Sequence, residues 1–185
     1  MNPDNPTTQQ AMPYGQPPVN PQPGFLEAVK MAFARRNEIN GRSRRAEYWW
    51  FALFSFICSW VVSLITMPFS PTAQLIGSMV VFLVLCWPSV SLSVRRMHDG
   101  GHSGYWVIIL LVLSLLAIGL TLPMLSEIER ITAHPEAMND YMTSAIIAGI
   151  LMIPIFIIGL ITLIFSLQDS KREINQWGPS PKYNV

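Results

Sequence analysis

From Tyr48 to Val94 the sequence has no aspartate, glutamate, lysine, arginine or histidine. The same holds for Tyr105 to Leu125 and for Ala145 to Leu167. Runs this long and this apolar are out of place in a small soluble domain. A bilayer core about 30 Å thick is crossed by roughly 20 such residues in helix. The missing charges also argue against coupled proton or ion transport, whose relays normally need ionisable groups inside the spans. Cysteine is scarce as well. Cys58 and Cys86 both fall in apolar runs, where a thiol packs as a small apolar group, and two such residues build no disulfide framework. No secretory signal precedes the first apolar run, so that run is expected to act as its own uncleaved insertion signal.

What is present fits an all-α integral membrane four-helix bundle, with 51% apolar and 12% charged residues. Spans are predicted at about 48–68, 75–94, 105–125 and 145–167, with a tail over 168–185. Residues 1–24 hold seven prolines among Asn, Gln and Thr. Such a leader buries too little apolar surface to offset its chain entropy, and disorder is expected. The membrane domain, 25–185, then opens with an amphipathic helix over 25–36, where Phe25, Val29 and Phe33 recur at four-residue spacing. Such a helix suits either the membrane interface or packing on the bundle. Ser55, Ser59 and Ser63 repeat at the same spacing, as a small-residue packing face would. Cys86, Ser89 and Ser93 form a second weakly polar face beside Pro88, which should kink its helix.

The charges outside the spans set an orientation. Lys30, Arg35, Arg36, Arg42, Arg44 and Arg45 precede the first span, Arg95 and Arg96 follow the second, and Lys171, Arg172 and Lys182 lie in the tail. Of the twelve lysines and arginines, Arg130 alone falls on the other side, in a loop expected over Ser126 to Ser144 with Glu127, Glu129, Glu136 and Asp140. The positive-inside rule then places both termini in the cytoplasm.

Two polar motifs share that side. Arg42-Ser43-Arg44-Arg45-Ala46-Glu47 enters the first span, with Ser43 as a plausible N-cap. Arg95-Arg96-Met97-His98-Asp99-Gly100-Gly101-His102-Ser103-Gly104 joins the second to the third. Glu47, His98 and Asp99 are read as members of a structural ion-pair cluster, Asp99 pairing with Arg96 or with Arg44 or Arg45. Arg42, Arg44, Arg45, Arg95 and Arg96, with Gly100, Gly101 and Ser103, form a candidate site for an anion or lipid headgroup, the glycines offering a backbone nest. His98 and His102 have the spacing of two metal ligands on a helix, but two glycines between them and no nearby cysteine argue against a metal. Adjacent His98 and Asp99 cannot easily adopt triad geometry, so a hydrolase is discounted.

These motifs resemble a bacterial inner-membrane family, the domain of unknown function 805. Gly41 to Trp49 is similar to its GRxxRxEyW entry. Arg95 to Asp99 with Ser103 to Trp106 is similar to its RRLHDxxxSGWW signature. Asn175, Gly178 and Pro181 resemble its C-terminal ending. The resemblance implies a small multi-pass protein of the bacterial inner (plasma) membrane and carries no activity with it. The expectation is therefore a scaffold or interaction module with no catalytic residues, no cofactor and no metal. Its partners are anionic membrane lipids, with a protein or a second copy of the chain as further classes, and no nucleic acid. The alternative is a small-solute channel or transporter using the serine faces.

Overall fold

The computed structural model describes residues 19–133 and 138–183, with backbone alone over 71–72, 121–133 and at 140. Its elements are five helices: α1 (Phe25–Ala34), α2 (Arg45–Thr66), α3 (Pro71–Asp99), α4 (Tyr105–Ala133) and α5 (Met138–Leu167). No strand occurs among the described residues, which carry only two isolated bridges. Segments of three helices, Arg45–Thr66, Ala73–Asp99 and Tyr141–Leu167, are long and apolar enough to cross a membrane. α4 adds a shorter apolar stretch, Tyr105–Leu120.

Two expectations are corrected. Ser43 does not cap α2. Arg44 holds the N-cap position, and the Ser43 hydroxyl turns inward to donate to Glu47 Oε2 at 2.6 Å. The segment over 126–144 is mostly helix rather than loop, because α4 runs through Pro123 to Ala133 and α5 begins at Met138. Glu, Met, Arg and Ala, all present there, are strong helix formers, so net acidity does not stop the helix. Of the leader, residues 1–18 lie outside the described residues. Its last part is extended chain bound to the tail: Val19 bridges Tyr183, and Asn20 donates its N–H to Lys182 O and its side-chain amide to Pro181 O.

The packing follows residue size. α1 places Ala28 and Ala32, both without exposed surface, against its neighbours. Phe25 and Phe33 meet Trp50, Phe51 and Phe54 of α2 edge-on or tilted, at centroid distances from 5.8 to 6.4 Å. Edge-to-face pairs of this kind add to the area they bury. α3 starts at a Ser70 cap whose hydroxyl accepts the Ala73 N–H, with Pro71 in the first turn, where its missing N–H costs nothing. The segment after α1 is tied to α3 by the Ser91 hydroxyl, which donates to Glu38 O at 2.7 Å, and by Trp87 Nε1, which donates to Asn37 Oδ1 at 3.0 Å.

α3 ends in a Schellman turn. The His102 N–H reaches back to Met97 O and the Gly101 N–H to His98 O, with Gly101 at φ +79°. That left-handed conformation is open to glycine at little cost. Gly104 is needed for a different reason: a Cβ there would fall 2.5 Å from Cγ1 of buried Val94, so α4 starts close against α3.

Candidate functional site

The start of α2, the end of α3, the start of α4, the end of α5 and the tail meet at one end of the molecule. Arg42, Ser43, Glu47, Arg95, Arg96 and Asp99 are all buried there, and Arg95, Arg96 and Asp99 expose no surface at all. Buried charges are tolerated only when paired and hydrogen-bonded, so the partners define the site.

Asp99 is its centre. Oδ1 accepts from Arg42 Nε at 3.0 Å, and Oδ2 accepts from Arg96 Nη1 and the Ser170 hydroxyl, each at 2.5 Å. Arg42 spends its other nitrogens on backbone carbonyls of the tail: Nη1 on Glu173 and Gly178, Nη2 on Lys171 at 2.5 Å. Arg96 turns to α5, donating Nε and Nη2 to Ser166 O at 3.1 Å and Nη2 also to Gln168 O. The last carbonyls of a helix lack internal partners and carry partial negative charge. Arg96 therefore caps α5 from α3.

A second pair sits beside the first. Arg95 Nη1 donates to Glu47 Oε1 at 3.3 Å, while Arg95 Nε and Nη2 are buried without a partner among the described residues. Glu47 occupies the first turn of α2, where the helix dipole favours an anion.

The sequence-predicted residues thus divide. Asp99 pairs with Arg96 as expected, but its other guanidinium comes from Arg42, not from Arg44 or Arg45. Arg44 sits at the N-cap, and its Nη1 turns toward the leader, donating to Asn20 O and Pro21 O. Arg45 is exposed, 3.2 Å from Asp169. His98 joins no ion pair: its ring stacks on Trp177 at 4.2 Å and its Nδ1 meets Gly41 O. His102 goes elsewhere, to Gln168 and the face of Phe165. The amides of Gly100 and Gly101 donate to Arg96 O and His98 O, and the Ser103 hydroxyl accepts the Tyr105 N–H. The glycine turn therefore directs these N–H groups into the fold.

Ser170, Asn175 and Trp177 also join the site, although none was among the expected site residues and only Asn175 had been noted, as part of the C-terminal ending. Asn175 donates its side-chain amide to His98 O at 2.9 Å and accepts the Trp177 N–H, forming a small turn closed by Gly178. The Asn-x-x-Gly spacing was the available signal. Next to the turn, Asp169 takes the Lys182 ammonium at 2.5 Å. Burial opposes its ionisation, yet Lys182, the Ser170 N–H and Arg45 together hold its carboxyl below the ordinary carboxylate value.

Helices of membrane length, gathered at one end by a buried arginine–carboxylate cluster, define a helical membrane protein. The chain belongs to the family described as protein of unknown function (DUF805), whose model matches residues 37–179. It is also similar to the inner membrane protein YhaI of Escherichia coli, in strain K12 and in O157:H7, each 33% identical over 73 residues. The match covers 40% of this chain and 61% of the relative, so it spans less than two thirds of either. No solved structure matches the chain.

Proposed function

We propose that the chain is a non-enzymatic scaffold of the bacterial inner membrane whose cytoplasmic face retains anionic phospholipid. In this reading α2, α3, α4 and α5 are four spans of one bundle, both termini are cytoplasmic, and α1 lies at the membrane surface beside α2. The observation that carries it is the gathering of basic segments at one end: the start of α2, the end of α3 and the tail are bound together through Arg42, Arg96 and Asp99. Most of those guanidinium groups are used internally, as a scaffold requires, and the exposed cations around them face the headgroup layer. Each such cation is worth about 1 kcal/mol near an anionic surface. The name of the Escherichia coli relative supports the compartment. The test is native mass spectrometry of the whole protein with phosphatidylglycerol and phosphatidylcholine of matched chains. Preferential retention of the anionic lipid is expected, and equal retention would overturn the reading.

A second reading has its own observation. Between α2, α3 and α4 lies a cavity of about 400 Å³ lined by Ser55, Ser59, Ser78, Ser89, Ser93 and Ser114 among apolar residues. Ser55, Ser59, Ser78 and Ser114 donate their hydroxyls to carbonyls of their own helices. Ser89 and Ser93 have no such partner among the described residues. A small-solute channel would use this cavity. The scaffold reading expects glycerol and urea to enter protein-loaded vesicles no faster than empty ones. Faster entry abolished by Ser93→Leu would establish the channel instead.

A further inference from the structure

On the other side of α2 from the serine cavity, its first turns and the tail enclose a groove of about 520 Å³. Its polar wall is Arg44, Arg45, Lys182 and Asp169, three cations to one carboxylate. Its apolar wall includes Trp49 and Trp50, both exposed at the point where α2 enters its apolar run, with Leu53 a turn further along α2, while Leu167 closes α5 beside Arg45, whose Nη1 donates to its carbonyl at 3.4 Å. Tryptophans at such a level are interface anchors. The groove therefore changes from cationic to aromatic to aliphatic along its length, the same order in which a phospholipid presents phosphate, glycerol ester and acyl chain.

The charges are not sealed. Arg45 and Asp169 meet at 3.2 Å with nearly half of each side chain in solvent, and exposed pairs of this kind hold weakly. Lys182 shares the same carboxylate, so one anion serves two cations. Arg44 leaves Nε and Nη2 without an acceptor among the described residues, because only its Nη1 is used by the leader. A second anion placed beside Asp169 would complete the set, and charge-assisted bonds from arginine to phosphate are among the stronger ones available.

We propose that this groove is a binding site for one anionic phospholipid, its phosphate held by Arg45 and Lys182, its glycerol region against Trp49 and Trp50, and its chain over Leu53. The proposal rests on the lipid-retaining reading above and goes beyond it by assigning the site. It also moves the site away from the buried Arg42, Arg95 and Arg96 and from the glycine turn, whose N–H groups are used within the fold.

The test uses the full chain in native mass spectrometry with phosphatidylglycerol and phosphatidylcholine of matched acyl chains. Arg45→Gln combined with Lys182→Gln should lower retention of phosphatidylglycerol at least fivefold and leave phosphatidylcholine unchanged, with an unaltered melting temperature. Asp169→Asn removes the competing carboxylate and should raise retention above wild type. Millimolar glycerol phosphate should not displace the lipid, because it lacks the chain. A folded double variant that retains phosphatidylglycerol in full puts the site elsewhere on the face and overturns this proposal alone. A wild-type protein without anionic preference overturns the lipid-retaining reading as well. Should the double variant fail to fold, unchanged or reduced retention by Asp169→Asn overturns the site. Complete displacement by glycerol phosphate would make it a soluble-anion site and overturn the lipid.

Discussion

Asp99→Ala should destabilise the protein on the order of 3–5 kcal/mol, the usual cost of removing one partner of a buried ion pair. The removed carboxylate is the acceptor for Arg42 Nε, Arg96 Nη1 and the Ser170 hydroxyl at once. Arg42 and Arg96 would remain as buried cations without a counter-ion. Neither can escape by losing its proton, because arginine stays charged in proteins. The change would also act at a distance. Arg42 holds the tail through three carbonyls and Arg96 holds the end of α5, so loosening either guanidinium frees elements 70 or more residues away in sequence. At about 2–4 °C per kcal/mol for a chain of this size, the midpoint should fall by roughly 10 °C. Thermal unfolding in detergent, followed by size-exclusion fluorescence, measures it. Asp99→Asn keeps the shape and an acceptor oxygen but not the charge, and should recover only part of the loss. A midpoint within 2 °C of wild type for Asp99→Ala would show that the cluster is not what joins these helices.

The helices were legible because the bilayer imposes a simple rule, and charge-free runs report it directly. Their ends were less so. Arg95 to Asp99 read as the beginning of a polar connection, yet the helix carries these charges as its last turn, because each finds a partner there. The segment over 126–144 read as a loop because it lies between two apolar runs, although its glutamates, alanines and methionines favour helix. The pairing of Asp99 with Arg96 was among the expected ones, and the helix realises it at i,i+3 spacing. Its pairing with Arg42 did not, since that depends on where α2 is capped. With Arg44 as the N-cap, Arg42 lies before the helix and is free to reach inward, while Arg44 and Arg45 are carried toward the leader and the tail. The tail was the least legible part. Arg42, Arg44 and Arg96 bind it, the leader and the end of α5 largely through backbone carbonyls, and a carbonyl acceptor leaves no mark in the amino-acid sequence. Only the Asn175–Gly178 turn announced itself.

The second buried pair should respond unequally to loss of its two members. Glu47→Ala leaves Arg95 in a fully buried position with its remaining ion-pair contact gone and Nε and Nη2 still unpartnered, and should cost on the order of 3–5 kcal/mol. Arg95→Met removes the cation together with two unsatisfied donors and refills much of the volume with an adaptable apolar chain. Glu47 then keeps the Ser43 hydroxyl at 2.6 Å and its favourable place in the first turn of α2. That loss should be about 1–2 kcal/mol, the scale of one lost charge-assisted hydrogen bond. Ser43 also stays joined to residue 95 in this variant, because its N–H donates to the backbone carbonyl there. In Glu47→Gln with Arg95→Met no net charge stays buried at the pair, and stability should return close to wild type, as it often does when a buried ion pair is replaced by neutral groups of similar volume. Unfolding free energies of the three variants, each compared with wild type, read all three values. If Arg95→Met proved as costly as Glu47→Ala, the guanidinium would be stabilising the fold outright. The ordering expected here instead makes Glu47 the partner that Arg95 requires, and Arg95 a charge the fold tolerates for the geometry it imposes between α2 and α3.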